Sequence, residues 1–483
     1  MKVNKIAILG GGVSGAISAL ILKQRFPQMD ITMIMSEKIG TMGVGEGITE
    51  HWKIFQDYIE LNSFDVIKKT GATFKAGLKF VDWSEEDYMH SLHSAWNMNR
   101  TGYVFRFGHL ISNNKPKKDL TPHWIWENES PISFYNEQSD IPVYQYHFDA
   151  KKLNTYLLDL CRERGINIEV DDICDVQVSD DGDLEALISE SKEYQADFFV
   201  DASGFTRILP QVLGMKWISY DEFLPVNKAF VFETEEMEEY NMFTTITAQK
   251  NGWSWRTPVQ GRTGNGYVYN SQFTSDEDAV KEMESFCGKE LKINKFFNFK
   301  SGRLEQSWYR NCLSVGLSAN FIEPLEASSL GTVIQQVFCF VDYLPSWDMN
   351  TYNEKMKEVF DNSLDFIRAH YLVKREDSEF WKYVKYKLKT PDSLKNLLNL
   401  WKNRLPNTAD VDQNQWCLFN HSNYIQVLYG LDWFNVDKIR EEYEYFPYKE
   451  VIEEDIYARI YEERRLPRIG HKEIINKICN SYE

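Results

Sequence analysis

A chain of 483 residues is ample for a large core and for two or three intertwined modules, more than one minimal domain needs. Its formal charge of −18 sets up a field that repels phosphates, which argues against a nucleic-acid or anionic-membrane surface. Seven cysteines without a CxxC pair suggest neither a zinc site nor a disulfide framework, so no metal is expected and a reducing, cytoplasmic setting fits.

Lys5 to Leu9 reads as a short apolar strand, Gly10-Gly11-Gly12-Val13-Ser14-Gly15 as a glycine turn, Ala16 to Arg25 as a helix and Ile31 to Met35 as a second strand. A G-x-G-x-x-G in that context lets the backbone approach a pyrophosphate at the helix start. Glycines interrupt the apolar run from Ile6 to Leu22 and no cleavage site follows, so it is not read as a secretion signal; no other stretch is apolar for long enough to suggest a membrane span. The acid expected to meet the ribose is Glu37, one or two residues late, with a solvated loop charge as the alternative.

Gly43-Val44-Gly45-Glu46-Gly47 implies either a ligand-strapping loop or a run of tight turns. Phe74 to Trp83 looks extended, and period-2 alternation puts Lys75 and Lys79 on one face, ordinarily facing solvent. Residues 84–140 are irregular, and their histidines, His90 among them, have no metal-ligand spacing. A helix capped by Asp149 runs to Arg164, and strands follow at Ile166–Val170, Cys174–Val178 and Leu184–Ile188. A buried strand then ends in Asp201-Ala202-Ser203-Gly204, a second place where a dinucleotide touches a doubly wound sheet.

From 215 to 300 the pattern turns antiparallel, with turns expected at Asn251-Gly252 and Gly264-Asn265-Gly266, and with Trp253 and Trp255 on one strand face. Ile322 to Leu330 sets a proline, an acid and two small hydroxyl residues ahead of an apolar helix, Leu330 to Leu344. With Ser328-Ser329 as its first turn, that helix start is a natural anion site; a capped helix beside a surface glutamate is the plain alternative. Helical periodicity dominates residues 350–475. The expected fold is α/β, a doubly wound FAD-binding sheet with an antiparallel substrate sheet and a helical C-terminal cap. Residues 1–345 form the FAD-binding module, with the antiparallel sheet inserted at about 205–300; residues 346–483 form a substrate-covering module intertwined with about 84–140.

Gly10 to Gly15, Gly43-Val44-Gly45-Glu46, Phe74-Lys75-Ala76, His147-Phe148-Asp149-Ala150, Asp201-Ala202-Ser203-Gly204, Gly252-Trp253-Ser254-Trp255 and Phe321-Ile322-Glu323-Pro324-Leu325-Glu326 occur in that order. In these landmarks the sequence resembles flavin-dependent halogenases of the tryptophan-halogenase type. The glycine and Asp-x-Ser-Gly motifs are generic to flavoproteins; Gly-Trp-x-Trp and Phe-x-x-Pro-Leu-Glu are far more specific.

The resemblance implies a mechanism. FAD, as FADH2, and O2 generate an oxidant that a halide (chloride, bromide or iodide) attacks, and hypohalous acid passes through an internal tunnel to a lysine beside a small aromatic substrate. Lys75 matches that lysine and Lys79 a later, non-catalytic position. Glu326 matches the acid that steadies the cationic ring and takes its proton. Ser328 and Ser329 would hold the halide. Gly10, Gly12, Val13, Ser14, Gly15, Glu37, Val44, Gly45, Ile173, Asp201, Ser203, Gly204, Leu317 and Leu330 fall where FAD is held. Trp253 and Trp255 would keep substrate from the flavin, and His90 and Tyr424, with Glu326, would meet substrate. A separate flavin reductase is implied, since no second G-x-G-x-x-G offers NADPH a home, and a homo-oligomer is left open.

The family's Phe-x-x-Pro-x-x-Ser-x-Gly reads here Phe321, Pro324, Ala327 and Ser329; Leu92 replaces an indole-sandwiching phenylalanine, and Tyr424 stands alone where two tyrosines are expected. These departures point to an indole or another electron-rich aromatic in place of free tryptophan. A flavin monooxygenase and a non-catalytic flavin-binding scaffold are the competing readings.

Overall fold

The computed structural model describes residues 3–38, 46–91, 107–131, 145–445, 450, 454, 465 and 467–481. At its centre is a six-stranded sheet ordered Trp308–Tyr309, Cys312–Ser314, Phe198–Asp201, Lys5–Leu9, Asp30–Met35, Asn167–Val170. Every pairing is parallel except the first. The inner strands are continuous apolar runs because both faces are covered. The helices Val13–Arg25, Ala150–Glu163 and Ser329–Tyr343 supply that cover, and Ile8, Leu20, Met33, Leu157, Val333 and Val337 share one core. Asp149 caps the second of these helices as expected, accepting from the N–H groups of Lys151 and Lys152 at 3.0 and 3.1 Å.

A seven-stranded sheet runs Ile293–Asn298, Lys228–Thr234, Arg262–Tyr269, Gly252–Val259, Phe243–Gln249, Gly77–Val81, Tyr88–Ser91. Two of its strands come from far upstream, and Gly77–Val81 joins parallel to Phe243–Gln249. The turn expected at Gly264-Asn265-Gly266 is instead strand interior; the chain reverses around Gly261, whose φ is +85°. Gly266 is glycine for a packing reason, since a Cβ there would lie 2.0 Å from the Trp255 ring.

The period-2 expectation for the two lysines is also corrected. Thr73–Phe74 and Gly77–Val81 belong to different sheets, so the chain crosses between them at Lys75-Ala76 and the alternation is broken. Lys75 is fully buried, whereas Lys79 is partly exposed and pairs with Asp87 at 3.0 Å.

The C-terminal third is mainly helical, with long elements at Met349–His370 and His421–Gly430 and a last helix at His471–Asn480. Among the described residues, no helix is long and apolar enough to cross a membrane, and no cluster of His, Cys, Asp and Glu could hold a metal ion.

Candidate active site

A cavity of about 500 Å³ runs between the parallel and antiparallel sheets. It is lined by Gly10 to Ser14, Ser36 and Asp171 to Ile173, by Ser203, Gly204 and Leu317, and by Gly47, Leu78, Trp255, Ser328, Ser329 and Leu330. The glycine turn is shaped by contact as well as by torsion. Gly10 has φ +123° and a Cβ there would meet the Ala202 carbonyl at 2.3 Å, while a Cβ at Gly15 would meet the Gly10 carbonyl at 2.1 Å. Gly12, the N-cap of Val13–Arg25, would meet nothing within 4 Å, and no side chain caps that helix. Open space over an uncapped helix start is what a dinucleotide pyrophosphate requires, so these residues fit FAD.

Several expected cofactor residues sit elsewhere. Glu37 is exposed and off the cavity wall, whereas Ser36, Asp171 and Asp172 line it. Asp201 is buried behind the wall, where its carboxylate accepts from Ser203 N, Ser203 Oγ, Ser318 Oγ and Leu209 N at 2.7 to 2.9 Å. It fastens the turn that presents Ser203 and Gly204. Gly15 packs against Gly10, and Val44 and Gly45 lie outside the described residues.

The segment after Phe321 separates two functions by one backbone reversal. Pro324–Glu326 is a short 3-10 turn, and Ala327 follows at φ +52° in the left-handed region. That conformation costs about 1 kcal/mol in a non-glycine residue. It turns Glu326 inward while Ser328 and Ser329 open onto the cavity at the start of Ser329–Tyr343, a helix with no capping side chain.

Glu326 is completely buried. His90 Nδ1 lies 3.0 and 2.9 Å from its two oxygens, and His370 Nε2 lies 2.7 Å from Oε1. Asn423 Nδ2, 2.9 Å from His90 Nε2, leaves that nitrogen as the acceptor and Nδ1–H as the donor to Glu326. Burial works against the charge on Glu326, but His90 and His370 outweigh it and hold the carboxyl down at about 2.

Lys75 is anchored at its backbone, where its N–H donates to Gln145 O at 3.0 Å and the Ala76 N–H to Met242 O at 2.6 Å. Its Nζ donates to the Ile48 carbonyl at 3.2 Å. Burial lowers the amine to about 8, with Glu326 and half-buried Glu50 acting in the opposite direction. A Cβ on Gly47 would lie 2.9 Å from Nζ, so the amine stands directly behind a residue of the cavity wall.

The two tryptophans occupy unequal positions. Trp255 lines the cavity; Trp253, 6.0 Å away ring to ring, is buried, its Nε1 donating to Tyr371 Oη at 3.0 Å and Glu323 Oε1 at 3.3 Å. Tyr371 Oη also donates to Glu323 Oε1. Burial raises this carboxyl to about 8, so it is neutral at pH 7. Tyr424 is buried against Phe366 and Trp401, and Leu92 lies outside the described residues.

Sequence reasoning missed His370, Asn423 and the Glu323 network. Glu323 was inside a quoted motif, but His370 and Asn423 reach the site from helices 44 and 97 residues after Glu326, and no local spacing links them.

The tryptophan halogenase family model matches residues 5–439, nine-tenths of the chain. The chain belongs to that family. It is 29% identical over 451 residues to the tryptophan 6-halogenase SttH of Streptomyces toxytricini, covering 84% of this chain and 86% of that one. It is 26% identical over 481 residues to the tryptophan 7-halogenase RebH of Lentzea aerocolonigenes, covering 89% and 90%. The structure of Tar14, a tryptophan C-6 flavin-dependent chlorinase from taromycin biosynthesis, superposes with a TM-score of 0.85 at 27% identity over 98% of this chain and 99% of that one. The protein is accordingly an enzyme, a flavin-dependent halogenase and an oxidoreductase that uses FAD and halide, with the mixed α/β fold of that family.

Proposed function

We propose that this enzyme halogenates an electron-rich, indole-like or tryptophan-like aromatic by delivering hypohalous acid to Lys75, with FADH2 and O2 as cosubstrates. The observation that carries this reading is the fully buried Lys75 amine directly behind Gly47, a residue in the wall of a cavity that fits FAD.

Gly10 to Ser14, Ile173, Ser203, Gly204 and Leu317 would hold FAD. Bound and reduced, it supplies the two electrons that turn O2 and halide into an electrophilic halogen. The uncapped helix start at Ser328-Ser329 binds the halide through N–H groups and the positive end of the dipole. Lys75, as an ammonium, donates a hydrogen bond to hypohalous acid, makes its halogen more electrophilic and fixes its position, so regiochemistry follows from proximity. Glu326 stays ionised, stabilises positive charge developing on the ring, and its carboxylate receives the ring proton. Trp255 narrows the cavity and denies organic substrate access to the flavin.

Residues 346–483 are read as the substrate-covering module, because His370 and Asn423 reach Glu326 and His90 from it. Reduced flavin comes from a separate reductase. All seven cysteines are free, in keeping with a reducing cytoplasm.

The test is product mass. With a flavin reductase, NADH, bromide and a panel of indoles, a bromine isotope pattern supports the assignment. A product heavier by one oxygen supports a monooxygenase, and no turnover supports a non-catalytic flavoprotein.

A further inference from the structure

The last helix starts beyond the stretch that matches the family model, yet it reaches the strand that ends just before Lys75. His471 is completely buried at the start of that helix. Its Nε2 accepts the backbone N–H of Phe74, the residue before Lys75, at 2.9 Å, and its Nδ1 faces the carbonyl oxygen of Tyr240 at 3.0 Å. Its ring also stacks on Phe74, centroids 5.5 Å apart at 8°. Ile474, Ile475 and Ile478 bury the helix in the main core, and Arg468–Gly470 pairs with Glu129–Pro131, so the imidazole is fixed from its own side.

The backbone N–H groups of Phe74, Lys75 and Ala76 therefore go to three different segments: His471, Gln145 O and Met242 O. Lys75 lies where the chain leaves one sheet and has not entered the next, so no ladder holds it there. A buried N–H without a partner costs about 1 to 3 kcal/mol. Only a neutral ring protonated at Nδ1 satisfies both contacts, and burial lowers His471 to about 3, which keeps it neutral throughout the working range.

We infer that His471 is a positioning residue: by accepting the Phe74 N–H it fixes the backbone from which Lys75 reaches its place behind Gly47. The inference rests on the delivery role proposed for Lys75. A misplacement of about 1 Å can cost on the order of 100-fold in rate. Losing this contact should therefore uncouple oxidant production from its use.

Two variants of the full-length, FAD-loaded enzyme separate positioning from general stability. His471→Asn keeps a donor near Tyr240 O but has no atom where Nε2 stood; His471→Gln can place an oxygen there. With reductase, NADH, bromide and indole, the Asn variant should lose roughly tenfold or more in ring bromination, while trapped hypobromous acid persists; the Gln variant should recover much of the loss. In the cofactor-free structure of the Asn variant, Lys75 Nζ should leave its 3.2 Å contact with Ile48 O. Loss of both products together, unchanged ring bromination, or a Gln variant no better than Asn overturns the inference. Lys75→Ala is the control: if it still brominates the ring, the delivery reading itself fails, independently of His471.

Discussion

His370 Nε2 lies 2.7 Å from Glu326 Oε1 while His370 Nδ1 lies 2.9 Å from the Phe366 carbonyl oxygen, so both ring nitrogens face acceptors. The acid that should meet the cationic ring intermediate is thus already held by a histidine that is itself fixed to its own helix. Glu326→Gln should slow ring halogenation by roughly two to three orders of magnitude, the range for removing a principal electrostatic stabiliser; a rate within about threefold of wild type would contradict the role.

Removing a donor from the same carboxylate shifts its titration. His370→Phe removes one of the two histidines that oppose burial, so the Glu326 carboxyl rises from about 2. An acid with a depressed folded pKa contributes stability that is present above its unfolded value and lost as pH falls through the folded one. The acid limb of both activity and melting temperature should therefore move to higher pH in this variant; a profile that stays in place would exclude the pairing.

Lys75 gives the alkaline limit. Its ammonium is lost as pH rises through about 8, so ring halogenation should fall there while free hypohalous acid accumulates. A buried base with a lowered pKa costs stability below that value, and the cost is relieved as pH climbs toward 10.5. Lys75→Met should consequently melt a few degrees higher than wild type at pH 7 and make no ring product. Lys79→Ala, whose parent side chain pairs with Asp87, should retain activity.

Gly47 tests geometry without charge. The atom that its missing Cβ would crowd is Lys75 Nζ, the mobile end of a long side chain, so Gly47→Ala should fold normally while pushing the amine aside. Calorimetry should show little change, and the ratio of ring product to free hypohalous acid should drop about tenfold or more. An unchanged ratio would mean that the amine has room to spare.

Glu323 is neutral at pH 7 because burial raises its carboxyl to about 8. An acid whose folded pKa is raised destabilises the fold progressively as pH climbs from its unfolded value to its folded one. Between about pH 5 and 8 the melting temperature of wild type should fall relative to Glu323→Gln, which accepts the same bonds from Trp253 and Tyr371 but does not titrate. Parallel melting curves for the two proteins across that window would refute a neutral Glu323.

What the sequence determined by itself is whatever local pattern encodes. The glycine turn and its helix, the Asp149 cap, the parallel and antiparallel strands, the apolar helix after Ser328 and the two specific motifs were all legible, because capping, periodicity and tight turns act over a few residues. Tertiary structure decided what those residues do. Alternation pointed Lys75 at solvent, and only the crossing between two sheets buries it; Gly266 looked like a turn until the Trp255 ring filled its place. His370, Asn423 and His471 carry no local signal, because their partners lie 44 to 397 residues away and the bonds exist only once separate helices pack around one buried carboxylate and one backbone N–H.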